Sequence, residues 1–262
     1  MIRLLHLSDI HFGGEQVEAV AAALAYAEDH PVDLTIVTGD LTQFGLAEEF
    51  AAAAAWLARL PGERLVIPGN HDSPYFNPFS RVFLPFGRYA RWIGPPDAIR
   101  AERAGLRIHG ANSARGAQMR LNWSKGALSA SQARGAADWL GEAGPGALRV
   151  FACHHPLTEI TGGPMTGRVR GGPAAARRLA EARADLILTG HVHTPFAHAM
   201  AFGDGRTYAV GASTLSVRLR GSAPGFNRIE ADAETLTVTA LGWTGARLEP
   251  QRTWALPRRS PL

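Results

Sequence analysis

The sequence predicts an α/β layered fold, on three observations. Short apolar runs alternate with alanine-rich stretches of helical spacing through most of the chain. Clusters of Asp, Asn and His follow several of these runs, where α/β folds place their ligands. The 262 residues are 46% hydrophobic and 19% charged, with one cysteine, which excludes a disordered chain and a disulfide scaffold. We expect a single domain over residues 1–262.

The first part of the chain alternates between strands and helices. Apolar runs predict strands at 2–7, 34–37 and 65–67, and helical spacing predicts helices at 16–28 and 46–60. Pro68 and Gly69 end the third strand because they do not continue a ladder easily. Residues 73–104 are rich in aromatics and prolines, which predicts an irregular segment that covers a site.

The second part continues this pattern and then changes. Strands are expected at 106–110, 150–153 and 186–189, and helices at 129–140 and 173–182, where Ser129 and Pro173 suit helix starts. Beyond His193 the sequence predicts strands only, at 196–202, 207–210, 226–230 and 235–242, as an antiparallel run. The Pro- and Arg-rich tail at 249–262 is expected to lie on the surface or to fray.

The charge of the chain does not predict a nucleic-acid partner. It has 27 basic and 23 acidic residues, a net charge of +4. Lys125 is the only lysine, and the arginines are scattered instead of forming one patch, which is typical of a solvated surface. The sequence has neither a secretory signal pattern nor a long apolar run, so we expect a cytoplasmic protein without a membrane partner.

Five polar clusters follow apolar runs and carry the predicted chemistry. They are Asp9-Ile10-His11, Gly39-Asp40, Gly69-Asn70-His71-Asp72, His154-His155-Pro156 and Gly190-His191-Val192-His193. In an extended chain, residues two apart point to the same side, so Asp9 with His11 and His191 with His193 can each face one point. Any single cluster can be a turn or a cap. Their recurrence at five predicted strand ends favours a metal site.

The order of these motifs resembles the calcineurin-like metallophosphoesterase superfamily. The pattern D-x-H, G-D, G-N-H-D, H-H-P and G-H-x-H runs from Asp9 to His193. The sequences at 6–12 and 65–72 are most similar to bacterial class III cyclic-nucleotide phosphodiesterases and their glycerophosphodiesterase relatives. The resemblance implies a four-layer α/β/β/α sandwich, in which two mixed sheets are flanked by helices and a binuclear metal centre lies at the strand ends.

The resemblance also implies which residues bind the two metals. Asp9, His11 and His193 would bind one metal, Asn70, His154 and His191 the second, and Asp40 would bridge both. This mixture of oxygen and nitrogen donors suits Mn, Fe or Zn better than Ca or Mg, and the metal pair stays open. His155 is an alternative ligand or an outer neighbour, and we favour His154 because the family ligand is the first of the pair.

The remaining candidates concern catalysis and substrate binding. In the mechanism that the resemblance implies, a hydroxide shared by the metals attacks phosphorus, and His71 protonates the leaving group or stabilises the transition state. Asp72 orients His71 or caps its turn. Arg168 and Arg170, in the loop between two ligand clusters, and Asn112 are candidate substrate contacts or ordinary loop residues. The aromatic residues of 73–104 stack on a base or form local core or a subunit contact.

The predicted activity is metal-dependent hydrolysis of a small phosphodiester, either a cyclic nucleotide or a glycerol-type diester. One alternative is a repair-type DNA nuclease, which shares the metal motifs and would show steeply salt-dependent DNA binding. Another is a non-catalytic interaction module that has lost its metals. The preference for diesters or monoesters and the oligomeric state, monomer or dimer, stay open at this point.

Overall fold

The computed structural model describes residues 1–159 and 169–259, which form twelve strands and six helices. The strands are β1 (Ile2–Leu7), β2 (Leu34–Thr38), β3 (Arg64–Ile67), β4 (Ile99–Arg103), β5 (Leu106–Gly110), β6 (Leu148–Ala152), β7 (Leu186–Thr189), β8 (Phe196–Ala199), β9 (Tyr208–Gly211), β10 (Gly225–Ala231), β11 (Thr235–Trp243) and β12 (Leu248–Pro257). The helices are α1 (Val17–Asp29), α2 (Ala47–Arg59), α3 (Pro78–Phe83), α4 (Gly87–Trp92), α5 (Ala130–Gly141) and α6 (Gly172–Glu181). The predicted strands and helices of the first three quarters therefore form, with ends shifted by a few residues.

The strands assemble into two mixed six-stranded sheets. The first has the order β12-β11-β10-β1-β2-β3 and the second β4-β5-β6-β7-β9-β8. Strands β1, β2 and β3 run parallel in the first sheet, and β5, β6, β7 and β9 run parallel in the second. Parallel neighbours end at the same edge of a sheet. The loops that follow them are thereby gathered at one edge of each sheet.

The core explains the layering, because alternate strand residues face opposite sides. Leu4 and Ile36 of the first sheet share a buried cluster with Ile108 and Val150 of the second, which is the contact between the sheets. Their neighbours in sequence face the other way: Leu5 and Val37 join a cluster with helix residues that include Val20, Leu24 and Phe50. Helices α5 and α6 contribute buried alanines and leucines on the second sheet. The four-layer α/β/β/α architecture is confirmed.

The C-terminal segment lies on the surface as an edge strand, which the sequence pattern does not predict. Residues 248–257 form β12, which pairs with β11 along nine register positions of that strand at the edge of the first sheet. Pro250 lies at the irregularity between Ala240 and Leu241, and Pro257 ends the strand. Both are places where a strand tolerates the missing N–H of proline. The proline content that suggested a frayed tail is therefore compatible with an edge strand.

Two other predicted regions differ in detail. The segment 73–104 contains α3, α4 and the edge strand β4, whose polar sequence Ile-Arg-Ala-Glu-Arg gives no apolar run to read. The strands after His193 are antiparallel as predicted, except that β9 also runs parallel to β7. Among the described helices, none has both the length and the hydropathy that a membrane crossing requires.

Candidate metal centre

The polar clusters lie at the carboxyl ends of five parallel strands. Asp9 follows β1, Asp40 follows β2, Asn70 follows β3, His154 follows β6 and His191 follows β7. Hydrogen bonds join these loops: the Gly190 N–H donates to the His154 carbonyl within the second sheet, and the His191 N–H donates to Asp9 Oδ2 of the first sheet. The loops therefore form one continuous site.

The ligand atoms of the predicted first metal site converge. Oxygen or nitrogen atoms of Asp9, His11 and His193 lie within 4.8 Å of one another, and so do those of Asp9, Asp40 and His154. His193 Nε2 is 3.0 Å from Asp9 Oδ1, and His11 Nε2 is 3.8 Å from both Asp9 Oδ1 and Asp40 Oδ2. Asp9 and Asp40 thus face the same space from two adjacent strands.

The predicted second site shares Asp40. His154 Nε2 lies 3.2 Å from Asp40 Oδ2, and the His154 and His191 rings are 5.2 Å apart between centroids. Asn70 is 5% exposed and follows Gly69, which packs directly on the Asp40 loop. A Cβ at Gly69 would collide with the Asp40 carboxylate, so only glycine allows this approach.

The ligand loops are not extended, so the extended geometry from which Asp9 with His11 and His191 with His193 were expected to face one point is wrong here. Asp9, His11, Asp40, His191 and His193 all have left-handed backbones, with φ between 51° and 68°. This conformation is uncommon for residues with a Cβ, although Asp and His adopt it more often than most. It tightens each loop enough to bring both members of a pair to the centre, and such strain is characteristic of functional sites.

Backbone carbonyls orient the imidazole rings. The Nδ1 atoms of His11, His154 and His193 face the carbonyls of Thr42, Thr38 and Arg218 at 3.3, 2.7 and 2.6 Å. A ring that donates through Nδ1 keeps the lone pair of Nε2 for the centre, which is the usual arrangement of metal-binding histidines.

The carboxylates are oriented in the same way. Asp9 Oδ2 accepts hydrogen bonds from the Ser8 hydroxyl at 2.6 Å and from the His191 N–H at 2.8 Å, and Asp40 Oδ1 accepts one from the His71 N–H at 2.8 Å. Asp9 Oδ1 and Asp40 Oδ2 are the oxygens that approach the histidines. Each carboxylate therefore uses one oxygen to hold its loop and turns the other to the centre.

Unsatisfied polar atoms indicate that the residues fit a metal centre. Asp9 Oδ1, Asn70 Oδ1 and His154 Nε2 are buried without a hydrogen bond of regular geometry among the described residues. For Asp9 Oδ1 and His154 Nε2 the nearest polar atoms are other predicted ligands, His193 Nε2 at 3.0 Å and Asp40 Oδ2 at 3.2 Å. Unlike other buried atoms of this kind, such as Thr35 Oγ1 and Tyr89 Oη, these three belong to the predicted ligand set, and a metal ion would satisfy them.

Titration properties agree with a set of donors for cations. Burial lowers the pKa of His11 and of His191 to about 3, so both rings are neutral at neutral pH. Burial acts in the same direction on His154, but the Asp40 carboxylate outweighs it and raises the pKa of His154 to about 9. The pKa of Asp40 lies well below its usual range because His154 and other histidines outweigh the effect of burial.

His71 lies beside the centre and is oriented by a carbonyl. Its Nδ1 faces the Gln43 carbonyl at 2.7 Å, and its ring meets His11 edge-on with centroids 4.8 Å apart. Asp72 accepts hydrogen bonds from the Thr42 N–H and hydroxyl and from the Gly69 N–H, at 2.8–3.0 Å. Of the two roles considered for Asp72, the structure therefore favours the capping of the turn.

His155 and Asn112 are committed to structural hydrogen bonds. The ring nitrogens of His155 contact the Ser113 hydroxyl at 2.9 Å and the Ser124 carbonyl at 2.8 Å, although the ring lies within reach of His154 and His191. Asn112 is buried, and its Oδ1 accepts a hydrogen bond from the N–H two residues on, as in a turn. His154, by contrast, turns Nε2 towards Asp40 Oδ2 and the other predicted ligands.

Only one of the two predicted arginine contacts lies within the described residues. Arg168 lies outside the described residues. Arg170 is exposed, and its backbone pairs with Gly126 and Leu128.

A cavity of about 550 Å³ opens beside the centre. It is lined by Asn70, His71, Tyr75, Pro78, Arg81, Leu121, Asn122, Trp123 and Ser124. Of the aromatic residues in 73–104, which were expected to cover the site, Tyr75 lines this cavity. Tyr89 and Trp92 line a separate cavity of about 390 Å³. Trp123 lies outside every motif, so no sequence pattern predicted its position in the wall of this cavity.

Arg218 is a further residue that the motifs do not include. Its Nη1 lies 3.0 Å from His71 Nε2, in the segment that follows β9. The signal was present in the sequence as the polar cluster Ser213-Thr214-Leu215-Ser216, which follows another strand of the parallel set.

Comparisons with known proteins place this geometry in a family. The fold is similar to that of a dimetal phosphatase from Danio rerio, with a TM-score of 0.72 and 9% identity over 98% of this chain and 99% of that chain. It is also similar to purple acid phosphatase PPD1 from yellow lupin (Lupinus luteus) seeds, with a TM-score of 0.69 and 12% identity over 98% of this chain and 54% of that chain. GAP50, the anchor in the inner membrane complex of Plasmodium, gives a TM-score of 0.64 and 12% identity over 99% of this chain and 89% of that chain.

No curated protein sequence matches the chain. Residues 2–195, which include all five polar clusters, match the model of the calcineurin-like phosphoesterase family, and the chain therefore belongs to that family.

Proposed function

We propose that the protein is a metal-dependent phosphoesterase that hydrolyses small phosphodiesters. The observation that carries the proposal is the set of buried donor atoms on Asp9, Asn70 and His154 that lack a regular hydrogen bond, at the point where five strand-end loops of a calcineurin-like phosphoesterase meet. The seven predicted donors, four imidazole nitrogens and three side-chain oxygens, suit Mn, Fe or Zn.

Seven side chains would hold two metal ions. Asp9, His11 and His193 would bind the first, Asn70, His154 and His191 the second, and Asp40, which faces His11 and His154, would contact both. When bound, such a pair neutralises charge on the phosphoryl group and activates water near neutral pH.

His71 is the candidate proton donor. A ring that donates Nδ1–H to the Gln43 carbonyl exchanges protons at Nε2, which lies on the side of the ring towards Arg218 and the cavity. The alkoxide that leaves during hydrolysis needs a proton, and Nε2 is the atom placed to deliver it. The role of Asp72 in this scheme is to hold the loop of Asn70 and His71 through its three hydrogen bonds.

The cavity supports a diester in preference to a bare phosphate. Its volume of about 550 Å³ begins at Asn70 and His71 and continues between Tyr75 and Trp123. An organic group on the phosphate would fill this space, which is in the usual size range of small-molecule sites. The similarity of the segments 6–12 and 65–72 to cyclic-nucleotide and glycerol-type phosphodiesterases favours the same class of substrate.

The test is hydrolysis by protein of measured metal content. Cyclic AMP, 2′,3′-cyclic nucleotides, glycerophosphodiesters, aryl diesters and aryl monoesters are each assayed with Mn²⁺ supplied and after chelation. We expect metal-dependent turnover that is higher for diesters than for monoesters. Full metal loading without hydrolysis of any phosphoester would refute the proposed activity. Failure to bind metal would refute the centre itself and favour a non-catalytic module.

A further inference from the structure

We propose that Arg218 binds the phosphoryl oxygens of the substrate, as a binding residue outside the metal-ligand motifs. The inference rests on the proposed function, since it takes a phosphoester as the ligand. It is carried by the position of the guanidinium, by the way its backbone is fixed, and by the charge around it.

The guanidinium and His71 face the same point. Arg218 Nη1 lies 3.0 Å from His71 Nε2. Because a guanidinium is always protonated in proteins and only donates, His71 Nε2 is the acceptor of this contact while no substrate is bound. His71 can carry a proton on Nε2 only when the guanidinium turns to another acceptor, and the cavity that His71 borders is where a phosphoryl group would offer one.

Hydrogen bonds to two predicted ligands fix the backbone of Arg218. Its carbonyl receives the Nδ1–H of His193 at 2.6 Å, and its N–H donates to the Ser216 hydroxyl at 3.2 Å. Ser216 Oγ contacts Thr214 Oγ1 at 2.7 Å, and the Thr214 hydroxyl donates to the Asp9 carbonyl at 2.5 Å. The segment is thus bonded to the centre on both sides, so the arginine is positioned before a substrate arrives.

The charge around Arg218 calls for an anion. Within residues 1–159 and 169–259, no carboxylate lies at ion-pair distance from its guanidinium. Asp9 and Asp40, the carboxylates of the centre, turn their free oxygens towards the histidines. The half-buried Arg218 guanidinium lies beside a site for two metal cations. Placing these positive charges together is electrostatically favourable when a multiply charged oxyanion binds between them. The phosphoryl group of the substrate is such an anion, and the planar fork of arginine matches two of its oxygens.

Arg220 provides a matched control. It lies two residues further along the same segment, is exposed, and its carbonyl accepts a hydrogen bond from the Thr194 hydroxyl. Arg220→Gln removes the same unit of charge from the same segment, and the Arg220 guanidinium is near enough to lower the pKa of His191 electrostatically. The comparison therefore separates direct contact with phosphate from general electrostatic attraction.

The experiment measures binding of inorganic phosphate by calorimetry to Mn²⁺-loaded protein. Arg218→Gln is expected to weaken phosphate binding about ten- to a hundredfold, the range for loss of charge-assisted hydrogen bonds. Arg218→Lys should lie between it and the unchanged protein, and Arg220→Gln should stay within about twofold. Metal content and thermal unfolding without phosphate should be unchanged in Arg218→Gln, because the carbonyl that holds His193 remains. KM for an aryl phosphodiester should rise in parallel with the phosphate Kd.

The outcomes separate this proposal from the activity. Equal phosphate affinity of Arg218→Gln and the unchanged protein, or no phosphate binding by either, would overturn the assignment of Arg218 even if the enzyme hydrolyses diesters. Selective loss of phosphate binding in Arg218→Gln supports the assignment even if no ester in the panel is hydrolysed, in which case only the proposed activity fails.

Discussion

At the scale of single residues, the centre contains candidate ligand histidines and structural histidines, which sequence alone distinguishes poorly. His154 and His155 are adjacent in the chain, and both are buried. The structure separates them by their partners, since His155 bonds to Ser113 and Ser124, whereas His154 bonds to a backbone carbonyl through Nδ1 and turns Nε2 to Asp40 in the centre. The difference arises from Ser113 and Ser124, which are distant in sequence, so no local pattern encodes it.

The first prediction concerns His71. Replacing it with alanine should leave two metals bound while kcat falls about 10²–10⁴-fold, because a positioned proton donor contributes that much. Turnover of an aryl diester and metal content measured on the same sample check this. His30→Ala, which changes an exposed histidine at the end of α1 and outside the motifs, serves as the control. Unchanged turnover in His71→Ala would remove this residue from the mechanism.

The second prediction concerns the pH dependence of the metal-free protein. Burial opposes charge on His154, but Asp40 outweighs it and raises the pKa of His154 from 6.5 to about 9. The charged pair therefore stabilises the fold fully below pH 6.5, and this contribution is lost as the pH rises to about 9. We expect the free energy of unfolding to fall across that window, by about 3 kcal/mol at most.

Denaturant unfolding at several pH values measures this change. The decline should be smaller in His154→Asn, which lacks the titrating ring, and smaller in protein loaded with metal, where the proton has been displaced. Parallel pH curves for His154→Asn and the unchanged protein would contradict the assignment of the decline to His154.

At the scale of elements, the sequence predicts a helix or strand best where the spacing of apolar residues and the residues that start or end the element agree. Ser129 was expected to start a helix, and it forms a reciprocal capping box with Gln132 at the start of α5. The edge strands β4 and β12 were missed because edge strands are half exposed and carry charges and prolines. Their pairing is specified by the neighbouring strand, which lies elsewhere in the sequence.

The third prediction follows from the capping box. Ser129→Ala removes the acceptor for the Gln132 N–H, which lies at 3.1 Å from Ser129 Oγ. We expect a loss of about 1 kcal/mol in the free energy of unfolding and no change in kcat, since α5 lies outside the centre. Ser129→Asp, which restores an acceptor, should recover most of the stability. A large loss of activity in Ser129→Ala would mean that α5 is coupled to the site.

At the scale of the whole molecule, the centre joins the two sheets. Asp9, Asp40 and Asn70 follow strands of the first sheet, whereas His154 and His191 follow strands of the second. The motif order was sufficient to predict that these residues meet. It was not sufficient to predict the neighbouring surfaces, because the cavity wall at Trp123 and the arginine at 218 come from segments with no motif.

The fourth prediction is that metal binding stabilises the sandwich as a unit. Each bound ion at 100 times its Kd should add about 2.7 kcal/mol to the free energy of unfolding. Thermal unfolding with Mn²⁺ and after chelation measures the effect, and Asp40→Ala should abolish most of it because Asp40 faces both sites. A melting temperature that does not respond to metal in the unchanged protein would contradict a centre that links the sheets.

The left-handed backbones at Asp9, His11, Asp40, His191 and His193 have an evolutionary consequence. At each position the left-handed backbone costs more free energy with the present side chain than with glycine or asparagine. The chain therefore keeps these residues at the expense of folding stability. In a descendant copy released from selection for metal binding, drift should therefore run towards glycine or asparagine at these five positions first. Such replacements, found together in a divergent relative, would mark the loss of chemistry while the sandwich survives.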